Sequence, residues 1–167
     1  MPGAIPGDTA TDFVVVVSRD EGRWAASTPP LRVGDDLDAL VAAMRQEWSD
    51  VGTFGFVSVA EDFFVTVRVG THGDVHLLLS DSTAALEWPI ARQVLDRLGL
   101  PVPSDDDLDD MQPAGDLGLF ADLGLGAGEV EDLLGDIESF PDEMLSDIAG
   151  RLGFGDVFER ALDDALD

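Results

Sequence analysis

The chain has 167 residues and a formal net charge of −26, because 35 Asp and Glu residues outnumber nine basic residues, all of them arginine. A hydrophobic fraction of 45% is normal for a globular protein and excludes wholesale disorder despite that charge. The absence of cysteine excludes disulfides, Cys-based zinc sites and thiol nucleophiles, and so negative a chain disfavours direct binding of nucleic acid.

The N-terminal residues show no targeting signal. Residues 1–11 are rich in Gly, Pro and Thr, and they predict a flexible tail. They lack the basic and apolar regions of a signal peptide, and no apolar run approaches the roughly 18 residues that a membrane span needs. We therefore expect a cytoplasmic protein that makes no membrane contact.

Two strands and a helix are predicted first. Residues 12–18 read as a buried strand, and residues 24–27 continue as a short partner strand after a turn. Asp35 is then a suitable N-cap for an amphipathic helix. Its apolar stripe has the spacing i, i+3, i+4, i+7 and i+11 and consists of Leu37, Leu40, Val41, Met44 and Trp48.

Three further strands follow at residues 54–60, 63–69 and 75–80. Glu61-Asp62 is the predicted two-residue hairpin between the first two of them. Pro89 and Gly99 suit the start and the end of a second helix. The order β-β-α-β-β-β-α predicts an antiparallel sheet with helices on one face, which is an α+β fold.

The charge divides the chain unevenly. Residues 1–100 carry 15 acids and seven arginines, whereas residues 101–167 carry 20 acids and only two arginines. We predict an α+β sheet domain at 12–100, an acidic, Pro-bounded linker at 101–115 and a small helical C-terminal domain at 116–167. Because about fifty helical residues alone are marginally stable, we expect this last part to dock on the sheet domain or on a partner.

The acidic stretch at residues 104–111 partly resembles an EF-hand calcium loop. Asp105, Asp107 and Asp109 fit ligand positions 1, 3 and 5, but Asp110 replaces the glycine required at position 6. Asp116, at position 12, is shorter than the usual glutamate, and the flanking segments do not read as helices. A self-repelling linker is favoured over a metal site.

Other candidate sites are also weak. His72 and His76 are separated by a Gly-Asp turn, so the sequence does not predict a functional histidine pair. The chain has no lysine and no G-x-S-x-G elbow, and helix capping explains the glycines of residues 151–156. We predict a non-enzyme with no catalytic, cofactor-binding or metal-ligating residues.

Three arginines of the sheet half are a further candidate for a binding site. Arg68, Arg92 and Arg97 can form a small positive patch, or they can clamp the acidic linker. The surplus of acids favours the third alternative, in which each pairs with carboxylates of the same chain.

A family resemblance adds to these predictions. Residues 76–99, an acid-rich spacer, G-D-L-G-L-F-A-D-L-G-L at 115–125 and S-D-I-A-G-R-L-G-F-G-D at 146–156 follow one another in this order. The order resembles the actinobacterial family of tRNA adenosine deaminase-associated proteins, over most of residues 12–160. The resemblance implies association with a tRNA-editing deaminase and brings no catalytic residues with it. The chain itself lacks the H-x-E and P-C-x-x-C motifs of zinc deaminases.

We therefore predict an accessory or regulatory protein that binds a basic protein, such as a tRNA adenosine deaminase, through an acidic surface. Two alternatives stay open: an acidic mimic of nucleic acid that binds another basic protein, and a small-ligand domain that uses the open sheet face. The oligomeric state is not predicted. The candidate partner-binding residues are Asp105, Asp106, Asp107, Asp109, Asp110, Asp132, Asp136, Glu138, Asp142 and Glu143.

Overall fold

The described chain contains six strands and five α-helices, together with short 3-10 helices at Leu31–Asp35, Ser82–Leu86 and Ala121–Leu123. The computed structural model describes residues 11–47, 49–104, 112–136 and 139–166. The strands are β1 (Thr11–Asp20), β2 (Arg23–Ser27), β3 (Thr53–Val59), β4 (Phe63–Val69), β5 (Val75–Leu79) and β6 (Ala114–Gly115). The helices are α1 (Leu37–Met44), α2 (Pro89–Leu98), α3 (Ala127–Leu134), α4 (Pro141–Leu152) and α5 (Gly155–Leu166). No helix in these ranges is long and apolar enough to cross a membrane.

The strands form one antiparallel sheet in the order β2-β1-β3-β4-β5-β6. The predicted α+β fold with an antiparallel sheet is therefore confirmed. The short strand β6 was not predicted, because two residues carry no periodicity, and it lies at the end of the segment predicted as a linker. Gly115 pairs with Leu78 there at a positive φ of 108°, and a Cβ atom would collide with the carbonyl oxygen of Leu77.

The hairpin between β3 and β4 differs by one residue from the prediction. Ala60 and Glu61, not Glu61 and Asp62, occupy the left-handed positions, with φ values of 55° and 53°. The Asp62 amide closes the turn by donating to the carbonyl of Val59 at 2.9 Å. The carboxylate of Asp12 accepts a second hydrogen bond from the Glu61 amide at 2.7 Å, so a tertiary contact helps to hold this conformation.

Helices α1 and α2 cover the first face of the sheet, with the apolar stripe of α1 buried at Leu37, Leu40, Val41 and Met44. The N-cap is Asp36, which accepts from the Asp38 amide, and not Asp35 as predicted. Asp35 instead accepts a hydrogen bond from the Thr11 hydroxyl, which takes it away from the helix end. Trp48, the last predicted member of the stripe, lies outside the described residues.

The C-terminal helices cover the second face. Phe54 and Phe56 of β3 point away from α1 and pack against Phe120, Phe154 and Phe158. The Phe54–Phe120 and Phe56–Phe158 ring centroids are both 5.6 Å apart. All seven residues of β3 are therefore buried, which explains why this strand lacks the alternation of a sheet that faces water.

Replacing Thr66 by valine is expected to stabilise the protein. Thr66 is fully buried on the second face, and its hydroxyl has no hydrogen-bond partner among the described residues. Removing a buried unpaired hydroxyl while keeping the shape is expected to raise the free energy of unfolding by about 1 kcal/mol. Urea unfolding monitored by circular dichroism measures this change.

Thr11→Val is the matched control, because the Thr11 hydroxyl donates to Asp35 at 2.8 Å. There the same change removes a made hydrogen bond and is expected to destabilise the protein by a similar amount. A loss of stability in Thr66→Val would contradict this account.

Candidate functional site

The outer surface of the C-terminal helices is acidic. Every Asp and Glu residue described between 112 and 164 is exposed, because the apolar stripes of α3, α4 and α5 face the sheet. Arg151 and Arg160 are the basic residues of this part, and Arg151 is neutralised locally by Asp147 at 3.1 Å and Glu129 at 3.6 Å. We call the outer surface of α3, α4 and α5 the acidic layer.

The acidic layer contains four of the predicted partner-binding residues. Asp132 lies on α3, Asp136 follows that helix, and Asp142 and Glu143 lie in the first turn of α4. Glu143 also accepts a hydrogen bond from the Phe140 amide at 3.0 Å, so it helps to cap α4. The remaining predicted residues, Asp105, Asp106, Asp107, Asp109, Asp110 and Glu138, lie outside the described part of the chain.

Arg68 joins the sheet to the segment that leads into the acidic layer. Its side chain is 12% exposed, and its guanidinium donates to both carboxylate oxygens of Asp122, at 2.6 and 2.9 Å. It also donates to the carbonyls of Leu119 and Val51 and lies 4.8 Å from the ring centroid of Phe54. Hydrogen bonding to Arg68 lowers the pKa of Asp122.

The other two arginines considered as a positive patch are also engaged within the chain. Arg92 donates to the carbonyls of Ala85 and Leu86. Arg97 lies 3.6 Å from the carboxylate of Asp38. Arg68 and Arg97 therefore contact carboxylates of this chain, as the surplus of acids predicted. The contacts found for Arg92 are with backbone carbonyls, so the predicted pairing with acids is not seen for that residue.

A polar cleft of about 590 Å³ lies beside Arg68. His76 stands between two carboxylates there, with Nε2 2.6 Å from Asp74 and Nδ1 3.6 Å from Asp116. The hydrogen bond from His76 is the main cause of a lowered pKa of Asp74. His72 also lines the cleft, but the described residues contain no cluster of three or more His, Asp or Glu suited to a metal ion. The histidines are thus brought to one cleft, where His76 binds carboxylates of its own chain.

A smaller cleft of about 200 Å³ lies where the β3–β4 turn meets the start of α4, and we call it the Phe140 groove. Its apolar wall consists of Leu134, Phe140, Pro141 and Met144. Its acidic rim consists of the exposed side chains of Glu61, Asp62 and Asp136. The buried carboxylate of Asp81 also lines the groove and accepts hydrogen bonds from the Thr83 amide and hydroxyl. Of the residues that line the groove, only Asp136 is predicted from the sequence as a partner-binding residue, because the groove is assembled from three segments that are distant in the chain.

Asp62→Asn is expected to stabilise the protein at neutral pH. Partial burial is the main cause of a raised pKa of Asp62, and the neighbouring carboxylates of Asp81 and Glu87 add to it. An acid with a raised folded-state pKa destabilises the fold above that pKa, and this penalty disappears as the pH falls through it. We expect a gain of roughly 0.5 kcal/mol at pH 7, after allowing for solvent screening.

Thermal unfolding between pH 7 and about 4 measures this effect, because the pKa is raised from an ordinary value near 4. The advantage of Asp62→Asn over the natural chain is expected to shrink as the pH is lowered. Asp20→Asn, an equal charge change at an exposed strand end, is the control. An advantage that stays constant with pH would contradict the electrostatic explanation.

Fold and surface together define a class: an α+β protein whose sheet is covered on one side by an acid-coated layer of helices. A family model described as Rv3753c-like tRNA adenosine deaminase-associated protein matches residues 12–155. Protein Rv3753c of Mycobacterium tuberculosis (strain ATCC 25618 / H37Rv) is 39% identical over 158 residues, covering 93% of this chain and 90% of that protein. The chain belongs to the Rv3753c-like tRNA adenosine deaminase-associated protein family, which confirms the resemblance seen in the sequence. No solved structure matches the chain.

Proposed function

We propose that this protein is a non-catalytic accessory factor that uses the acidic layer to bind a basic surface of a tRNA adenosine deaminase. The observation that carries the proposal is the charge asymmetry of the C-terminal part. There the exposed acids far outnumber the two arginines, and Arg151 is already paired. The family description supports the identity of the partner, since it names association with this class of enzyme.

The physical reason for a basic partner is mutual repulsion within the acidic layer. Like charges at short range raise the free energy of the isolated protein, and a complementary positive surface relieves that repulsion on binding. A surface that binds tRNA is itself rich in Arg and Lys, because it must neutralise phosphates. Binding between such surfaces is expected to be fast and to weaken steeply with salt.

A non-catalytic role is supported by the side chains that this chain has available for deaminase chemistry. Nucleobase deaminases activate water on a zinc ion held by histidine and cysteine, with a glutamate that shuttles protons. This chain has no cysteine, and neither histidine begins an H-x-E motif. We therefore propose that the chain stabilises or regulates the deaminase and that the partner performs the chemistry.

The small-ligand alternative is not supported at the sheet face, although the polar cleft of about 590 Å³ beside Arg68 is within the size range of small-molecule sites. It required an open sheet face, and the second face is filled by α4, α5 and the residues around Phe120. Arg68, which lies on that face, is already bound to Asp122 and to two carbonyls. These contacts favour a protein-binding surface over a ligand pocket in the sheet.

The proposal is tested by charge neutralisation. One variant combines Asp132→Asn, Asp136→Asn, Asp142→Asn and Glu143→Gln. The matched control combines Asp20→Asn, Glu21→Gln, Glu47→Gln and Asp96→Asn, four exposed acids of the sheet half. Binding of each full chain to purified deaminase from the same organism is measured by calorimetry at ~50 mM salt, where charge contacts are strongest.

We expect the helical variant to bind more weakly by about four-fold or more, since four surface charges each contribute roughly 0.2–1 kcal/mol. The control is expected to stay within about two-fold of the natural chain. Glutamine at 143 preserves the α4 cap, so the fold is retained. Equal weakening of binding in both variants would indicate that the net charge, and not the position of the acids, determines the affinity. An absence of binding by the natural chain would remove the proposed partner.

A further inference from the structure

We propose that the Phe140 groove is the specific contact point of the acidic layer, and that it takes one arginine or lysine side chain of the partner together with an apolar residue beside it. This inference rests on the proposed function and deepens it. It concerns a site that the charge pattern of the sequence does not reveal, because its members come from the β3–β4 turn, the residues that follow β5, the end of α3 and the start of α4.

The exposed apolar wall of the groove favours its burial against a partner. Phe140 is 57% exposed and is the most exposed large hydrophobic side chain among the described residues. Leu134 and Met144 flank it, and both are only partly buried against the helical core. An aromatic ring exposed beside a methionine is typical of protein interfaces, where aromatic and methionine side chains are enriched.

The acidic rim determines which side chain fits. Three exposed carboxylates form the rim beside the apolar wall, and no arginine is among the described residues that line the groove. Elsewhere in the chain, the guanidinium of Arg68 binds the carboxylate of Asp122, so this fold already pairs a carboxylate with arginine. A long cationic side chain satisfies both parts of the groove, because its aliphatic stem packs on Phe140 while its charged end reaches the rim.

The position of Asp62 supports this assignment. Its carboxylate is partly desolvated and is repelled by Asp81 and Glu87, which raises its pKa and makes its charged form less favourable than that of a solvated aspartate. A cation in the groove reverses that balance. Residues kept at a cost to stability are characteristic of binding sites.

The size and charge of the groove exclude other occupants. A volume of about 200 Å³ lies below the roughly 300–1,000 Å³ of small-molecule and cofactor sites but suits a single side chain. Phosphate-bearing ligands and anionic lipid headgroups are repelled by four carboxylates. The remaining occupant is a basic side chain presented by a protein surface, which agrees with a partner that binds tRNA.

The first test uses a short peptide, acetyl-Ala-Arg-Leu-Ala-amide, and nuclear magnetic resonance of the full-length ¹⁵N-labelled chain. Amide shifts are expected to concentrate at Glu61, Asp62, Ser80, Phe140 and Met144. The matched probe replaces arginine by citrulline, which has nearly the same shape but no charge, and is expected to produce no localised shifts. Shifts spread evenly over the acidic layer, or an equal response to the citrulline peptide, would overturn the inference.

The second test uses variants. Asp62→Asn and Phe140→Ala are each expected to weaken binding of the arginine peptide about five-fold or more. Asp156→Asn is the charge control, since α5 begins beside Trp24 and Phe54, at the opposite end of the strands from the β3–β4 turn. Leu100→Ala is the apolar control, with a side chain 45% exposed on the sheet half. Neither control is expected to change binding by more than about two-fold.

The same four variants, measured against the purified deaminase, separate this inference from the proposed function. If only Asp62→Asn and Phe140→Ala bind the deaminase more weakly, both the groove and the proposed function are supported. If all four variants bind the deaminase as the natural chain does, the groove is overturned while the proposed function stands. If the peptide binds in the groove but the natural chain does not bind the deaminase, the groove is supported and the proposed partner is overturned.

Discussion

A chain that ends at residue 104 is expected to lose its native fold and to aggregate. The cut removes β6, α3, α4 and α5, and with them the cover of the second sheet face. The large side chains that would be exposed on that face are Phe13, Phe54, Phe56, Phe64 and Leu78, all at most 1% exposed in the intact protein.

The magnitude of this effect follows from the hydrophobic contribution of those side chains. Burying one large apolar side chain contributes roughly 1.5–3 kcal/mol, so uncovering five costs about 10 kcal/mol. The total stability of a domain is only about 5–15 kcal/mol. We therefore propose that the sheet and the C-terminal helices fold as one cooperative unit, although charge and proline content divide the chain near residue 104.

Cleavage of the folded chain measures this coupling directly. A protease site placed within residues 105–111 allows the intact protein to be cut after it has folded. The two fragments are expected to co-elute in size-exclusion chromatography and to separate only in denaturant. The fragment that ends at residue 104, expressed alone, is expected to bind a hydrophobic dye and to precipitate. A soluble, monomeric and cooperatively folded fragment would contradict the prediction.

Replacing Arg68 by methionine is expected to cost about 3 kcal/mol of stability. Methionine keeps most of the aliphatic bulk but removes hydrogen bonds to the Leu119 and Val51 carbonyls and to Asp122. It also leaves two carbonyls without a donor in a largely buried position. The cation–π contact with Phe54 is lost as well.

Urea unfolding followed by tryptophan fluorescence measures this loss, because Trp24 packs on Phe154 at a centroid distance of 4.8 Å and reports on the docked helices. Arg97→Met is the control, since Arg97 is 40% exposed and makes one carboxylate contact at 3.6 Å. It is expected to change stability by less than about 0.5 kcal/mol. An equal loss in both variants would contradict a specific role for Arg68.

Asp122→Asn separates the ion pair from the carbonyl contacts. The Asp122 side chain is 60% exposed, so solvent screening limits the expected loss to about 1 kcal/mol. Because its folded-state pKa is lowered, the contribution is full above the unfolded value near 4 and is lost as the pH falls through the folded value. The difference in stability between the natural chain and Asp122→Asn is therefore expected to be present at pH 7 and to vanish at strongly acidic pH.

These contacts connect stability to the proposed function. Arg68 holds the segment from Leu119 to Asp122 against the sheet, and the aromatic cluster around Phe120 fixes α5. The acidic layer is thus presented from a packed scaffold rather than from separate helices. A rigid presentation reduces the entropy lost on binding a partner.

Much of the fold was determined by local patterns in the sequence. The alternation in β4, which places Phe63, Val65, Val67 and Val69 on one face, correctly predicted that strand. Pro89 and Gly99 correctly bounded α2, since proline suits a first helical position and the left-handed φ of 74° at residue 99 favours glycine. The family resemblance was also visible in the sequence and is confirmed.

Details that depend on distant residues were not predictable in this way. The N-cap of α1 moved from Asp35 to Asp36 because the Thr11 hydroxyl, 24 residues away, binds Asp35. The left-handed positions at Ala60 and Glu61 are stabilised by the Asp12 carboxylate. Strand β6 exists only because β5 offers it an edge, and two residues leave no periodic signal of their own.

The residue types of the candidate site follow from the sequence alone: an excess of carboxylates in the C-terminal third, no thiol and no lysine. Their spatial arrangement depends on the packing of the fold. This packing puts the apolar stripes of α4 and α5 on the second sheet face, which leaves their acids outside, and it places Asp62 beside Phe140. The physical reason is that charge is a property of each residue, whereas a groove is made by the packing of segments that are far apart in the chain.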